Sequence, residues 1–305
     1  MMESKKIIIF GATGLIGRAL VKSLIKDDYS LIIVTRNPEK AKKIFPKNVQ
    51  FQTLNAENYA FMEDAHAVIN LAGENIASKR WTKAQKQKII HSRVNMSKTI
   101  ISNLNSLKNK PQIYMQASAI GFYPFSSDHS FTETDGKGNS FLSEVVDIWE
   151  KETNNLDNGI RCVILRTGVV LSKNGGMLTK VLLPMKFFIG GKLGNGKQWI
   201  SWIHIEDEIN AIKFLLQNPH LQGKFNLCAA HPVQMKTFIK SCGKILKRPT
   251  LFAVPAFIIR TIFGQMGKET ILGSQKVLPK KLIDAGFDFQ YNTVEIALQN
   301  LIYRK

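Results

Sequence analysis

The chain has 305 residues, 44% of them hydrophobic and 21% charged, which is enough for one large or two modest domains with buried cores and excludes a low-complexity chain. It contains no uncharged apolar run of ~18 residues, the length a membrane-spanning helix needs, and its first residues do not read as a secretory signal. The formal net charge of +19 is compatible with nucleic acid, an anionic surface or phosphate-bearing small molecules; the basic residues are dispersed without interleaved aromatics, so nucleic acid is not the expected partner, and without a spanning run neither is a membrane, which leaves a small molecule.

In chain order, β-rich apolar runs alternate with helical patterns. Lys6–Phe10 reads as a strand and Gly14–Lys26 as a helix with apolar residues at Leu15, Ile16, Ala19, Leu20 and Leu24. Between them stands Gly11-Ala12-Thr13-Gly14-Leu15-Ile16-Gly17, a glycine turn in the strand–turn–helix context of a dinucleotide site. Gly11 permits the sharp turn, Gly14 lets backbone approach a pyrophosphate, and Gly17 allows close packing of helix on strand. The pyrophosphate then rests on unpaired N–H groups at the positive end of the helix.

Leu31–Thr35 is the second strand. In NAD-binding folds a carboxylate ends it and holds the ribose 2′-hydroxyl, but here Arg36 follows Thr35, and Asp27 and Asp28 lie before the strand. An arginine fork binds a 2′-phosphate that a carboxylate would repel, so the expected cofactor is NADP(H), preferred over NAD(H), with Thr35 and Arg36 in contact and Lys40 nearby.

Pro38–Ile44 follows as a helix, then strands at Phe51–Thr53 and Ala67–Leu71, a helix at Lys83–Asn105, a strand at Gln112–Ala117, a helix at Phe141–Asn155 and a strand at Val163–Thr167. Near-continuous apolar strands separated by helices give an α/β fold, a doubly wound parallel sheet. After Leu171, glycines and Pro184 punctuate shorter segments; Glu206–Leu216 reads as a helix and Lys224–Cys228 as a strand. The apolar block Leu251–Phe263, interrupted by Arg260 and too short to span a bilayer, reads as core, with an interface helix as the alternative. Residues 1–171 are read as the dinucleotide-binding domain, with 201–229 returning to it. Residues 172–200 and 230–305 form a smaller, mostly helical substrate lobe. Cys162, Cys228 and Cys242 lack metal-ligand or Cys-x-x-Cys spacing, so no metal is expected, and reduced thiols in a cytoplasm are the economical reading. A monomer or homodimer fits equally well.

Further motifs run the length of the chain: Asn70-Leu71-Ala72-Gly73-Glu74, Arg80-Trp81-Thr82, Ser92-Arg93, Ala117-Ser118-Ala119-Ile120-Gly121-Phe122-Tyr123, Leu165-Arg166-Thr167-Gly168, Ser201-Trp202-Ile203-His204-Ile205-Glu206-Asp207 and Leu278-Pro279-Lys280-Lys281-Leu282. With the glycine turn, they resemble the extended short-chain dehydrogenase/reductase superfamily. More narrowly, they resemble its atypical "epimerase family" branch, whose C-terminal part is a small domain of unknown function. The resemblance implies a Rossmann sheet and an oxidoreductase or epimerase acting on a small molecule, a sugar nucleotide among the candidates. It also implies that Asn70, Leu71, Ala72, Gly73 and Glu74 line the cofactor, and that Thr167 lies near its nicotinamide end.

The superfamily's chemistry rests on a Ser or Thr after the fifth strand and a Tyr-x-x-x-Lys on the next helix, where the ammonium lowers the tyrosine's pKa for proton transfer. Ser118 matches the serine, but Phe141 and Val145 stand where the tyrosine and lysine belong, and neither can move a proton. Tyr123 is then the catalytic candidate beside Ser118, with Glu144, or His204 and Asp207, as alternatives. A protein that binds NADP(H) without turnover, as a sensor or regulatory module, is the competing reading. Trp81, Trp199 and Trp202 are candidates for an apolar pocket wall.

Overall fold

Ile7, Ile8, Ile9 and Phe10 are all fully buried, so β1 (Lys6–Phe10) carries apolar side chains on both faces. That pattern belongs to a parallel strand covered on both sides. The computed structural model describes residues 5–54 and 59–303. After β1 come α1 (Leu15–Lys26), β2 (Ser30–Thr35), α2 (Pro38–Lys42), β3 (Gln50–Thr53) and β4 (Ala67–Asn70). Next are α3 (Lys83–Ser106), β5 (Ile113–Ala119), β6 (Ser130–Phe131), α4 (Phe141–Lys151), β7 (Arg161–Thr167) and β8 (Val169–Ser172). There follow α5 (Gly176–Lys186), β9 (Gly191–Leu193), β10 (Trp199–Ile200), β11 (Trp202–His204), α6 (Ile205–Gln217), β12 (Gly223–Leu227) and β13 (Val233–Gln234). The chain closes with α7 (Met235–Leu246), β14 (Phe252–Val254), α8 (Ala256–Thr270), β15 (Lys276–Val277), α9 (Lys280–Asp284) and α10 (Val294–Tyr303).

The central sheet is seven-stranded and parallel, in the order β12-β7-β5-β4-β1-β2-β3. These are the seven strands expected from the sequence. The order reverses between β1 and β4, and a doubly wound sheet opens a ligand crevice beyond the carboxyl ends of the strands at that switch point.

Helix α1 buries Gly17, Leu20, Val21 and Leu24, a stripe at helical spacing, against one face of the sheet. There it shares a core with Ile209, Ile212 and Leu215 of α6. On the opposite face Ile100, Ile101 and Leu104 of α3 pack on Ile8, Phe10, Ile32 and Val34. Burying each such side chain contributes about 1.5–3 kcal/mol before chain entropy is counted. A second core joins Leu178 and Met185 of α5, Phe238 of α7 and Leu298 of α10 around Trp202. This C-terminal part also holds the short strand pairs β8–β11, β9–β14 and β10–β13.

Apart from the buried Ile259, the apolar block from Leu251 to Phe263 is not core. Leu251 is 88% exposed and Phe257 67%. Pro255 splits the block into β14, whose one strand partner is β9, and α8, whose outer side faces solvent. Among the described residues no helix is long and apolar enough to cross a membrane.

Candidate functional site

The glycine turn joins β1 to α1 at the switch point. Gly11 has φ +76°, and a Cβ there would lie 2.5 Å from the backbone of Leu71, just beyond β4. A Cβ on Gly17 would meet the backbone of Ala12 at 2.6 Å. Both glycines are required by the chain itself. Gly14 is different: its backbone is extended (φ −74°, ψ 178°) and a Cβ would meet just the Gly11 carbonyl, at 3.3 Å. Gly14 is also the N-cap of α1 and offers no side chain to the first-turn N–H groups, which leaves them available to an anion.

At the end of β2 a cavity of about 540 Å³ is lined by Thr13, Arg18, Thr35, Arg36, Asn37 and Lys40. Three cations face it, and among the described residues no carboxylate does. Glu39, the acid nearest in sequence, is paired with Lys42 at 2.6 Å. Arg18 comes from α1, with its Nε donating to the Thr13 carbonyl at 2.8 Å.

At the end of β4, Asn70 is buried and its amide is used internally. Its Nδ2 donates to Ser97 and Tyr114, and its Oδ1 accepts from the Ala72 N–H at 3.1 Å. Asn70 therefore bends the chain that Leu71 and Ala72 present to the crevice. A Cβ on Gly73 would lie 3.1 Å from the Arg93 guanidinium. Burial pushes the Arg93 pKa down to about 10. The Ser92 hydroxyl accepts from the Glu74 N–H at 2.9 Å, so α3 holds this turn from below.

Ser118 and Tyr123 meet in one buried network. Strand register sets Ser118, Arg166 and Asn226 side by side across β5, β7 and β12. Ser118 donates to Glu150 Oε1 at 2.6 Å, and Arg166 grips Glu150 with Nε at 2.8 Å and Nη2 at 2.7 Å. Arg166 Nη1 also donates to the Tyr123 hydroxyl, which donates in turn to Asn226 at 2.8 Å. Burial pushes the Tyr123 phenol up to about 12, against the pull of Arg166.

The positions lacking the tyrosine and lysine are packed. Phe141 meets the Trp81 ring edge-on at 5.0 Å, and Val145 is buried. The carboxylate of Glu269, from α8, accepts from the Phe141 and Leu142 N–H groups at the start of α4. Glu144 points outward and is exposed. His204 caps α6 by accepting from the Glu206 N–H, and Asp207 accepts from the N–H groups of Gln290 and Tyr291. Trp202 lies wholly in the second core, while Trp81 packs beside Val145 and Met266.

Residues 7–228 match the NAD dependent epimerase/dehydratase family, and residues 254–301 match a domain of unknown function, DUF1731. The chain belongs to the NAD dependent epimerase/dehydratase family. An epimerase family protein of Staphylococcus haemolyticus is 37% identical over 98% of this chain and 99% of its own length. One from Bacillus subtilis is 36% identical over 97% of each. The crystal structure of the human epimerase family protein SDR39U1 with NADPH superposes with a TM-score of 0.90, at 25% identity, over 98% of this chain and 100% of that one. A nucleoside-diphosphate sugar epimerase from Corynebacterium glutamicum gives a TM-score of 0.77 at 28% identity, covering 98% of this chain and 58% of that one.

In this epimerase-family chain three site residues escape sequence reasoning. Arg18 and Glu269 carry no signal, since each depends on a contact between distant elements. Glu208 does carry one: it lies on the same stripe of α6 as the buried Ile212 and Leu215. Its Oε1 accepts from the Thr167 hydroxyl at 2.8 Å, its Oε2 has no hydrogen-bond partner among the described residues, and burial pushes its pKa up to about 8.

A raised carboxyl pKa means that the folded state binds a proton the unfolded state has released. Its stabilising contribution is complete below the ordinary carboxyl value and is lost as pH rises to about 8. Relative to the wild type, Glu208→Gln should therefore gain roughly 2 kcal/mol between pH 5 and pH 8, once relaxation and water entry are allowed for. Urea unfolding of both proteins across that range checks this; parallel pH profiles would refute it.

Proposed function

We propose that the chain binds NADP(H), NADPH more tightly than NADH, and acts as an oxidoreductase or epimerase on a small molecule, sugar nucleotides being the class to test first. The carrying observation is the cavity at the end of β2, where Arg18, Arg36 and Lys40 converge with no carboxylate among the described residues that line it. A doubly negative 2′-phosphate fits that charge; a bare ribose, read elsewhere by a carboxylate, does not. Gly14 supports the same reading, because a Cβ there would meet the Gly11 carbonyl at 3.3 Å and no nearer atom, so packing alone demands glycine far less here than at Gly11 or Gly17. NADPH in the human relative agrees with it.

One charge-assisted bidentate contact of ~1.5–3 kcal/mol gives roughly a ten- to hundredfold preference for NADPH. Titration calorimetry with both cofactors on the wild type and on Arg36→Ala is the test. Equal affinities, or a variant that keeps the preference, would sink the assignment.

Bound cofactor would supply hydride transfer at its nicotinamide. Ser118 would polarise a substrate carbonyl and Tyr123 would hold the proton, with Arg166 joining the two hydroxyl groups through Glu150. Leu71 and Ala72 would line the cofactor, Thr167 would approach its nicotinamide end, and the C-terminal part built on the second core would face the substrate. Removing a positioned acid typically costs ~10²–10⁴ in rate, so Ser118→Ala and Tyr123→Phe should each lower turnover that far with NADPH affinity unchanged. An undiminished rate in Tyr123→Phe would move the donor elsewhere.

The packing of Phe141 and Val145, with the sealed Tyr123 hydroxyl, favours a second reading: an NADP(H)-responsive regulatory protein. NADPH binding without turnover on a panel of carbonyl compounds and sugar nucleotides would establish that reading instead.

A further inference from the structure

The C-terminal part carries an apolar face with a basic border. β9 and β14 pair in parallel, placing the turn after α5 beside the segment that enters β14. Phe187, Phe188, Ile189, Leu251, Phe252 and Phe257 are all exposed on these joined segments, Phe187 by 68%. A soluble monomer seldom leaves so many large apolar side chains together without a partner. Lys186, Lys192, Lys247 and Arg260 are exposed around them, and the Arg248 guanidinium lies 4.4 Å over the Phe188 ring. The sequence around this face is one-sided in charge. Between Asp157 and Glu206, and again between Glu208 and Glu269, there is no Asp or Glu. Glu269 itself is buried against α4.

We propose that this face docks on an anionic lipid bilayer, its aromatic and aliphatic side chains entering the headgroup boundary and its cations meeting lipid phosphates. Charge complementarity selects this occupant. A second copy would bring the same cations against themselves, with a net charge of +19 on each chain. An anionic surface neutralises them and accepts the apolar tips, the two terms that hold amphitropic proteins at an interface. The expectation that a membrane is no partner rested on the lack of a long apolar run. That excludes spanning; surface docking needs no such run.

Cosedimentation with vesicles of phosphatidylcholine, alone or mixed with phosphatidylglycerol, tests the proposal. The mixed vesicles should bind the protein at least tenfold more tightly than phosphatidylcholine alone, and high salt should release it. Phe187→Ser with Leu251→Ser, and separately Lys186→Glu with Arg260→Glu, should each weaken binding about tenfold or more without lowering the melting temperature. These four side chains are exposed, so the variants should fold. Lys43→Glu with Lys98→Glu, beside α2 and on α3 respectively, should change binding little. An equal loss in that control pair would mean diffuse attraction to a basic protein and would overturn the proposal. So would absence of vesicle binding, with or without a concentration-dependent dimer that Leu251→Ser breaks; the dimer would assign the face to a second copy. None of these readouts depends on cofactor or turnover.

Discussion

Gly14→Val should lower NADPH affinity by about a hundredfold or more while costing the fold at most about 1 kcal/mol. The two effects separate because of where the three glycines stand. Valine at Gly11 or Gly17 would drive a side chain into backbone at 2.5–2.6 Å, so those variants should fail to fold. At Gly14 the backbone is one that valine can adopt, and the nearest obstacle is a single carbonyl at 3.3 Å. Beyond a tight contact with the Gly11 carbonyl, the added side chain should therefore crowd the approach to the first turn of α1, where a pyrophosphate would lie. Fluorescence titration with NADPH, alongside thermal melting of the variant, measures both halves. Wild-type affinity in a folded Gly14→Val protein would place the cofactor somewhere else, and Arg36→Ala would then lose its meaning as a specificity probe.

Arg166→Met should destabilise the fold by about 3–5 kcal/mol. Arg166 is 1% exposed and neutralises a Glu150 carboxylate that is nearly as buried. Without it Glu150 keeps the Ser118 hydroxyl and the half-exposed Lys224 at 3.6 Å, too little to hold a charge away from water. The Phe122 ring would also lose the guanidinium stacked 3.6 Å from its centroid. Replacing both partners, Glu150→Leu with Arg166→Met, should recover much of the stability, because no unpaired charge is then buried. Urea denaturation of the single and double variants decides this. A double variant no better than Arg166→Met would show that shape, not charge pairing, holds the network together.

The same network explains why the chemistry was the least readable part of the sequence. Ser118 and Tyr123 stand in one short motif, but the link between them runs through Glu150 on α4, Arg166 on β7 and Asn226 on β12. Those residues come together only because the strands are in register. Asn70 is expected to line the cofactor, but its side chain turns inward to Ser97 on α3 and Tyr114 on β5. Leu251–Phe263 looked like core from its composition, yet Pro255 and a sheet with one neighbouring strand leave it on the surface. Composition records how apolar a segment is and not whether another element arrives to cover it.

What the sequence determined by itself is local or periodic. The seven strands, the stripe of α1, the glycine turn and the arginine after β2 all follow from neighbours in the chain, because period and backbone freedom are local properties. The loss of Tyr-x-x-x-Lys is equally local, being two side chains on one turn of α4. What only tertiary structure decided is how distant groups share space. Arg18 joins Arg36 and Lys40 around one cavity, and Glu269 covers the first turn of α4. Glu208 becomes a raised carboxyl because α6 lies against the sheet beside Thr167, where water cannot follow to solvate its charge.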